Sequence, residues 1–163
     1  LNPLHHLDPL GTIFPILLIL SGSSFVFGWA KPVPINYYRL KYGRLGEFLV
    51  AIAGVLSNIL LAIIGMFLFK HFYEVLAPLH LLEPVLYMIS LNILLAVFNI
   101  MPIPPLDGSR VLASIGSYDL RDSIFHMDRY GIFIIMILSW TGFLYKFIAP
   151  VYMAILSFLD KLI

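Results

Sequence analysis

The chain has 163 residues, of which 61% are hydrophobic and only 12% charged, with a formal net charge of +1. A soluble domain carries about 25% charged residues, so a chain this apolar cannot cover a water-facing surface and must have lipid as its solvent. The near-neutral balance, without a basic stripe interleaved with aromatics, gives no reason to expect a nucleic-acid partner. The absence of cysteine excludes a disulfide framework and any thiolate ligand or nucleophile.

The sequence opens Leu1-Asn2-Pro3, without an initiating Met or a signal-peptide pattern, and so reads as a fragment of a longer protein. His5, His6 and Asp8 follow at once and are metal-ligand residue types, although adjacent histidines point apart on any regular element. Residues 11–30 are the first apolar stretch, interrupted by Pro15 and by Ser21-Gly22-Ser23-Ser24. Each uninterrupted piece is shorter than the roughly 20 residues that a hydrocarbon core of about 30 Å demands. The expectation is a broken or re-entrant segment, bent between Pro15 and Ser24. Beyond it, Lys31-Pro32-Val33-Pro34 alternates prolines and favours extended backbone over 27–40. A short strand or hairpin at the interface would hold Trp29, Tyr37 and Tyr38 at headgroup level.

The second stretch, 47–69, is a clean span with Glu47 at its start and Lys70 just past its end, complementing the helix dipole. Inside it Gly54, Ser57 and Asn58 fall close to one helical face. Such a face either packs against a neighbouring helix or lines a polar site. The third stretch, 84–101, is long enough to cross, and Asn92 and Asn99, seven apart on one face, carry the same two readings. The fourth, 131–159, divides near Lys146 and Pro150, giving one span followed by an interfacial helix or two short spans.

The connections alternate in basicity. Lys31, Arg39, Lys41 and Arg44 precede the second stretch, only Lys70 follows it, and Arg110, Arg121 and Arg129 separate the third from the fourth. Positive residues stay cytoplasmic, so the second and third stretches form a hairpin entering and leaving on that side, with Asp107 near its cytoplasmic end.

The densest chemical signal is Asn99-Ile100-Met101-Pro102-Ile103-Pro104-Pro105-Leu106-Asp107-Gly108-Ser109-Arg110. The prolines end the helix by removing donors and clashing with the preceding turn, and irregular backbone at membrane depth survives only where it is buried or lines a wet cavity. An ionisable group at such a break is a functional-site candidate. The alternative is that Asp107 merely caps a helix starting near Gly108. His71, His80 and His126 lie in connections or near span ends and suggest no site. HExxH, GxSxG, P-loop and dinucleotide-binding patterns are all absent from these residues. Residue chemistry alone therefore reaches a polytopic membrane protein with a polar patch of Asn58, Asn99 and Asp107.

In that order, four segments resemble the site-2 proteases of peptidase family M50, in the prokaryotic subgroup without a PDZ domain. They are Leu1-Asn2-Pro3-Leu4 with His6, Asp8-Pro9 and Gly11-Thr12; Phe27-Gly28-Trp29-Ala30-Lys31-Pro32-Val33-Pro34; the Gly54-to-Asn58 pair; and the Asn99-to-Arg110 motif. Val55 stands where that family usually has Pro. The resemblance implies an all-α integral membrane fold, a polytopic helical bundle forming one domain over 1–163. It further implies that Asp107 and the two histidines of an upstream HExxH hold Zn2+ as three protein ligands, leaving a fourth position for water. The HExxH Glu, the general base, lies outside these residues, so this piece holds one ligand of three and is expected to be inactive alone. Asn58, with Gly54, would position the substrate strand or stabilise the oxyanion; Asn99 and His6 would line the site. The implied function is hydrolysis of transmembrane protein substrates in a bacterial or archaeal plasma membrane. The reading from another class is a non-catalytic transporter-like module or scaffold that uses the same broken helix and Asn/Asp patch.

Overall fold

In the computed structural model, the described residues are 13, 16, 17, 20, 21 and 40–163. The chain divides into two compact units, Leu1–Tyr37 and Tyr38–Ile163. The expected bend between Pro15 and Ser24 rests on residues outside the described set, and so does nearly all of the extended segment expected over 27–40. The second unit is helical throughout and contains no strand among the described residues.

Helix α1 spans Arg44–His71, 28 residues and so about 42 Å long, more than a hydrocarbon core needs. Leu, Ile, Phe and Ala dominate it, Glu47 occupies its first turn, and Lys70 and His71 occupy its last. A single turn of helix, α2 (Tyr73–Leu76), leads to α3 (Leu82–Asn99). Pro84 sits inside α3 rather than at its start, because the first-turn N–H groups have no intrahelical partner to lose. The three prolines after Asn99 end α3, and α4 (Asp107–Ile115) begins directly beyond them.

Ser117 caps α5 (Tyr118–Trp140), its hydroxyl accepting from the Leu120 N–H at 3.2 Å. Gly142, at φ 71, makes the left-handed turn into α6 (Phe143–Leu162). The division of the fourth apolar stretch thus falls at Thr141–Gly142, not near Lys146 and Pro150 as the sequence suggested. Pro150 lies inside α6, where a membrane helix can re-satisfy the freed backbone group through its neighbours. The order is also the reverse of a span followed by an interfacial helix, one of the two expectations: α5, charged in its first half, comes before the span-length helix. Three helices, α1, α3 and α6, are long and apolar enough to cross a membrane.

These three pack around one apolar cluster of Ala62, Met66, Ile89, Ile93, Val97 and Leu159. Gly65 makes the α1–α3 contact close, since a Cβ there would lie 2.8 Å from both Ile89 and Met88. The hairpin expected from the two central spans is therefore present. Lys70 at the end of α1 and Asp160 near the end of α6 form an ion pair of 2.9 Å, so α1 and α6 run in the same direction. Most of the outer surface of the bundle is apolar, with Leu56, Leu60, Ile64, Phe67, Leu91, Leu94 and Trp140 all exposed. In water that surface would drive aggregation; against lipid tails it costs nothing.

The proline segment folds inward instead of projecting. Met101 and Leu106 are buried in a second cluster with Leu144 of α6, flanked by Phe98, Ile103, Ile135 and Leu138. The start of α1 meets α4 and α5 at the same end of the bundle: Arg44 Nη1 donates to the Gly116 carbonyl at 2.7 Å, and its guanidinium lies 4.2 Å from the Tyr118 ring centroid.

Candidate metal centre

Asp107 is the first residue of α4, and Leu106 stands at the N-cap with extended backbone and no capping side chain. Asp107 thus stands one residue past the N-cap, where as an acid in the first turn it also complements the helix dipole. Its carboxylate turns toward α1: a Cβ built on Gly54 would lie 3.2 Å from Asp107 Oδ2. Gly54 and Asp107, far apart in sequence, are thus brought face to face by the packing of α4 on α1. Gly54 nevertheless stays exposed, so open space remains beside the carboxylate.

The carboxylate makes no hydrogen bond or ion pair with the described residues. Burial raises the Asp107 pKa above its ordinary value, and the nearby Arg110 guanidinium works in the opposite direction. A half-buried carboxylate with no donor among the described residues has the chemistry to accept a cation.

Asn58 lies on α1 four residues beyond Gly54, roughly 6 Å along the axis on nearly the same face, and is half-buried. Asn99 is the last residue of α3 and half-buried. Asn92 has a local explanation, since its Nδ2 donates to the Met88 carbonyl at 2.7 Å within α3. His6 lies outside the described residues. Among the described residues no group of three or more His, Cys, Asp or Glu side chains could hold a metal. Asp107 fits zinc as one oxygen donor, with Gly54 leaving the room a larger side chain would fill.

The α4 helix is wedged from several directions. A Cβ on Gly108 would fall 2.1 Å from the Ile100 carbonyl oxygen, so the helix start lies directly on the end of α3. Gly131 of α5 fits equally tightly on the proline segment, where a Cβ would come 2.4 Å from Pro105 Cδ. Arg110 is buried and forms an ion pair with Asp128 of α5, while its guanidinium lies 4.3 Å from the Phe125 ring centroid. One turn into α1, Glu47 is 1% exposed and pairs with Arg121 of α5 at 3.2 Å. Its Oε1 is buried without a partner among the described residues. Sequence reasoning missed both ion pairs. It treated Glu47 as a helix-end charge, and Arg110 and Arg121 as cytoplasmic markers. An acid and a base on separate helices, 74 residues apart for Glu47 and Arg121, give no local signal.

A groove of about 560 Å³ lies between α3 and α6, lined by Tyr87, Leu91, Leu94, Tyr145, Tyr152 and Met153 among others. None of the candidate site residues lines it.

A carboxylate without a partner among the described residues, just past a proline-broken span and against a glycine of the neighbouring membrane helix, can serve as one metal ligand. The comparisons agree: residues 69–140, which include the whole Asn99-to-Arg110 motif, match Peptidase family M50. The chain is 40% identical over 147 residues to a Bacillus subtilis (strain 168) protein named "Putative zinc metalloprotease YwhC", covering 86% of this chain and 64% of that protein. Both likenesses support membership of peptidase family M50, the family whose motifs the sequence resembles. The chain spans less than two thirds of the length of that relative. No solved structure matches it.

Proposed function

We propose that this chain is the larger part of the catalytic core of an intramembrane zinc metalloprotease that hydrolyses peptide bonds of transmembrane proteins in a multi-pass arrangement in the cell membrane. The observation that carries this reading is the Asp107 carboxylate, unpartnered by any described residue, directed at Gly54 of α1, and placed just past the proline break of α3. Asp107 would hold zinc together with the two histidines of an HExxH helix contributed from outside these residues. Zinc supplies Lewis acidity at the scissile carbonyl, and the HExxH Glu supplies the base.

The residues present bind and orient. Gly54 leaves the face of α1 open beside the carboxylate, so that an extended substrate backbone can approach. Asn58, one turn further on, offers an amide that can hold that backbone or donate to the oxygen on which charge develops. The proline segment ends α3 and turns the chain so that α4 starts with Asp107 facing the open side of Gly54 on α1. Arg44, Arg110 and Arg121 all make contacts where the start of α1 meets α4 and α5, which supports a cytoplasmic site.

The test uses the full-length protein reconstituted in lipid vesicles with a transmembrane reporter. Cleavage should be abolished by Asp107→Ala and by zinc chelation. Asn58→Ala should slow cleavage by about 10²-fold or more, the usual cost of losing an oxyanion donor. Wild-type cleavage by Asp107→Ala would overturn the reading and leave a non-catalytic membrane module in its place.

A further inference from the structure

We propose that Arg110 and Asp128 are positioning residues for Asp107, forming a clamp between α4 and α5 that fixes the direction of the Asp107 carboxylate. This rests on the reading of Asp107 as a zinc ligand.

The need for a clamp follows from the build of α4. It is nine residues long, has no side-chain cap at its start, and follows an irregular segment. Two and a half turns of helix hold themselves poorly in rotation about their own axis, so the neighbours must set it. Gly108 resting on the Ile100 and Met101 carbonyls fixes how closely α4 approaches α3. Close approach at a glycine leaves no side chain to resist rotation. Arg110 supplies that resistance. It sits three residues beyond Asp107, about 60° away around the helix. Its side chain is buried, its Nη2 is paired with Asp128 Oδ2, and its planar guanidinium lies over Phe125. A planar guanidinium held through one nitrogen by a carboxylate and lying against an aromatic face is constrained in direction as well as in distance.

The lever arm shows why this matters. A carboxylate about 5–6 Å from the helix axis moves about 1 Å when the helix turns by about 10°. Zinc–ligand distances hold within about 0.2 Å, so such a turn takes Asp107 out of the coordination shell. The Arg121–Glu47 pair joins α5 to α1, and Arg121 also lies 4.9 Å from the Phe125 ring centroid. The element holding Arg110 is thus tied to the helix that carries Gly54, and ligand and facing helix are set by one connected group of side chains.

The experiment measures zinc affinity of the full-length protein by competition with a chromogenic chelator, together with the visible absorption of the cobalt-substituted form. Arg110→Gln and Asp128→Asn should each weaken zinc binding by about 10- to 100-fold and alter the cobalt bands, as loss of partners that orient a ligand does. The double variant should be no worse than either single one, because both break the same clamp. Arg110→Lys keeps the charge without the planar fork and should show the same loss in weaker form, which preserves the readout if Arg110→Gln fails to fold. Met66→Ala, in the α1–α3–α6 core and away from α4, should lower thermal stability while keeping zinc affinity and the cobalt spectrum. Wild-type affinity and spectrum in Asp128→Asn and Arg110→Lys would overturn the inference. If Asp107→Ala loses zinc in the same assay, only the clamp fails; if it too binds normally, the zinc reading itself fails.

Discussion

Gly54→Ala separates the site from the fold in one substitution. In a helix interior the change from Gly to Ala is worth about 0.5–1 kcal/mol in favour of the helix. At this position the new methyl meets, among the described residues, one atom, Asp107 Oδ2 at 3.2 Å. Ordinary contact begins a few tenths of an ångström further out, so the carboxylate must withdraw by that amount. The fold tolerates such a shift easily. A zinc site does not, because its ligand distances are held to about 0.2 Å. Gly54→Ala is therefore expected to leave thermal stability in micelles unchanged or slightly raised, while weakening zinc binding by about 10-fold or more. Gly54→Val, with two further methyl groups in the same space, should lose zinc almost entirely. Chelator competition and a thermal melt on the same preparation read both quantities. If Gly54→Val binds zinc like the wild type, Asp107 does not coordinate from the position it occupies beside α1.

Three further outcomes follow from the same contacts. Burial raises the Asp107 pKa, so the metal-free fold takes up a proton there more readily than the unfolded chain does. The associated stability is fully present below the ordinary carboxylate pKa and is lost as pH rises through the raised one. Asp107→Asn should remove that part of the pH dependence from metal-free melts, and zinc affinity of the wild type should fall as pH drops through the same window. Arg121→Met leaves the buried Glu47 carboxylate unpaired and should cost about 3–5 kcal/mol, whereas Glu47→Leu with Arg121→Met should recover most of it in denaturant titrations. Gly108→Ala drives a methyl to 2.1 Å from the Ile100 carbonyl and should cost about 1–3 kcal/mol, with loss of zinc because α4 must lift off α3.

What the sequence made legible was whatever is written locally. Hydrophobic length and end charges placed α1 and α3 within a few residues, and the proline cluster marked where α3 stops. Gly54 and Asp107 were each singled out, one for its helical face and one for its break, but their meeting is a tertiary fact that no spacing contains. The break in the fourth apolar stretch was misplaced because Lys146 and Pro150 are stronger punctuation on paper than Thr141-Gly142. In the structure Gly142 can take a left-handed φ and turn the chain, whereas Pro150 is absorbed by a helix with neighbours. Glu47 illustrates the same limit. Its sequence context fits a dipole-complementing residue at a membrane face, yet it is buried against Arg121 of a helix formed far downstream.

X-ray absorption at the zinc edge of the full-length protein tests the coordination by Asp107 most directly. The first shell of the wild type should contain two imidazole nitrogens and a carboxylate oxygen from Asp107, and that oxygen contribution should change in Asp107→Asn while Asn58→Ala leaves the spectrum as in the wild type. An unchanged first shell in Asp107→Asn, at full zinc occupancy, would contradict the assignment of Asp107 as a ligand.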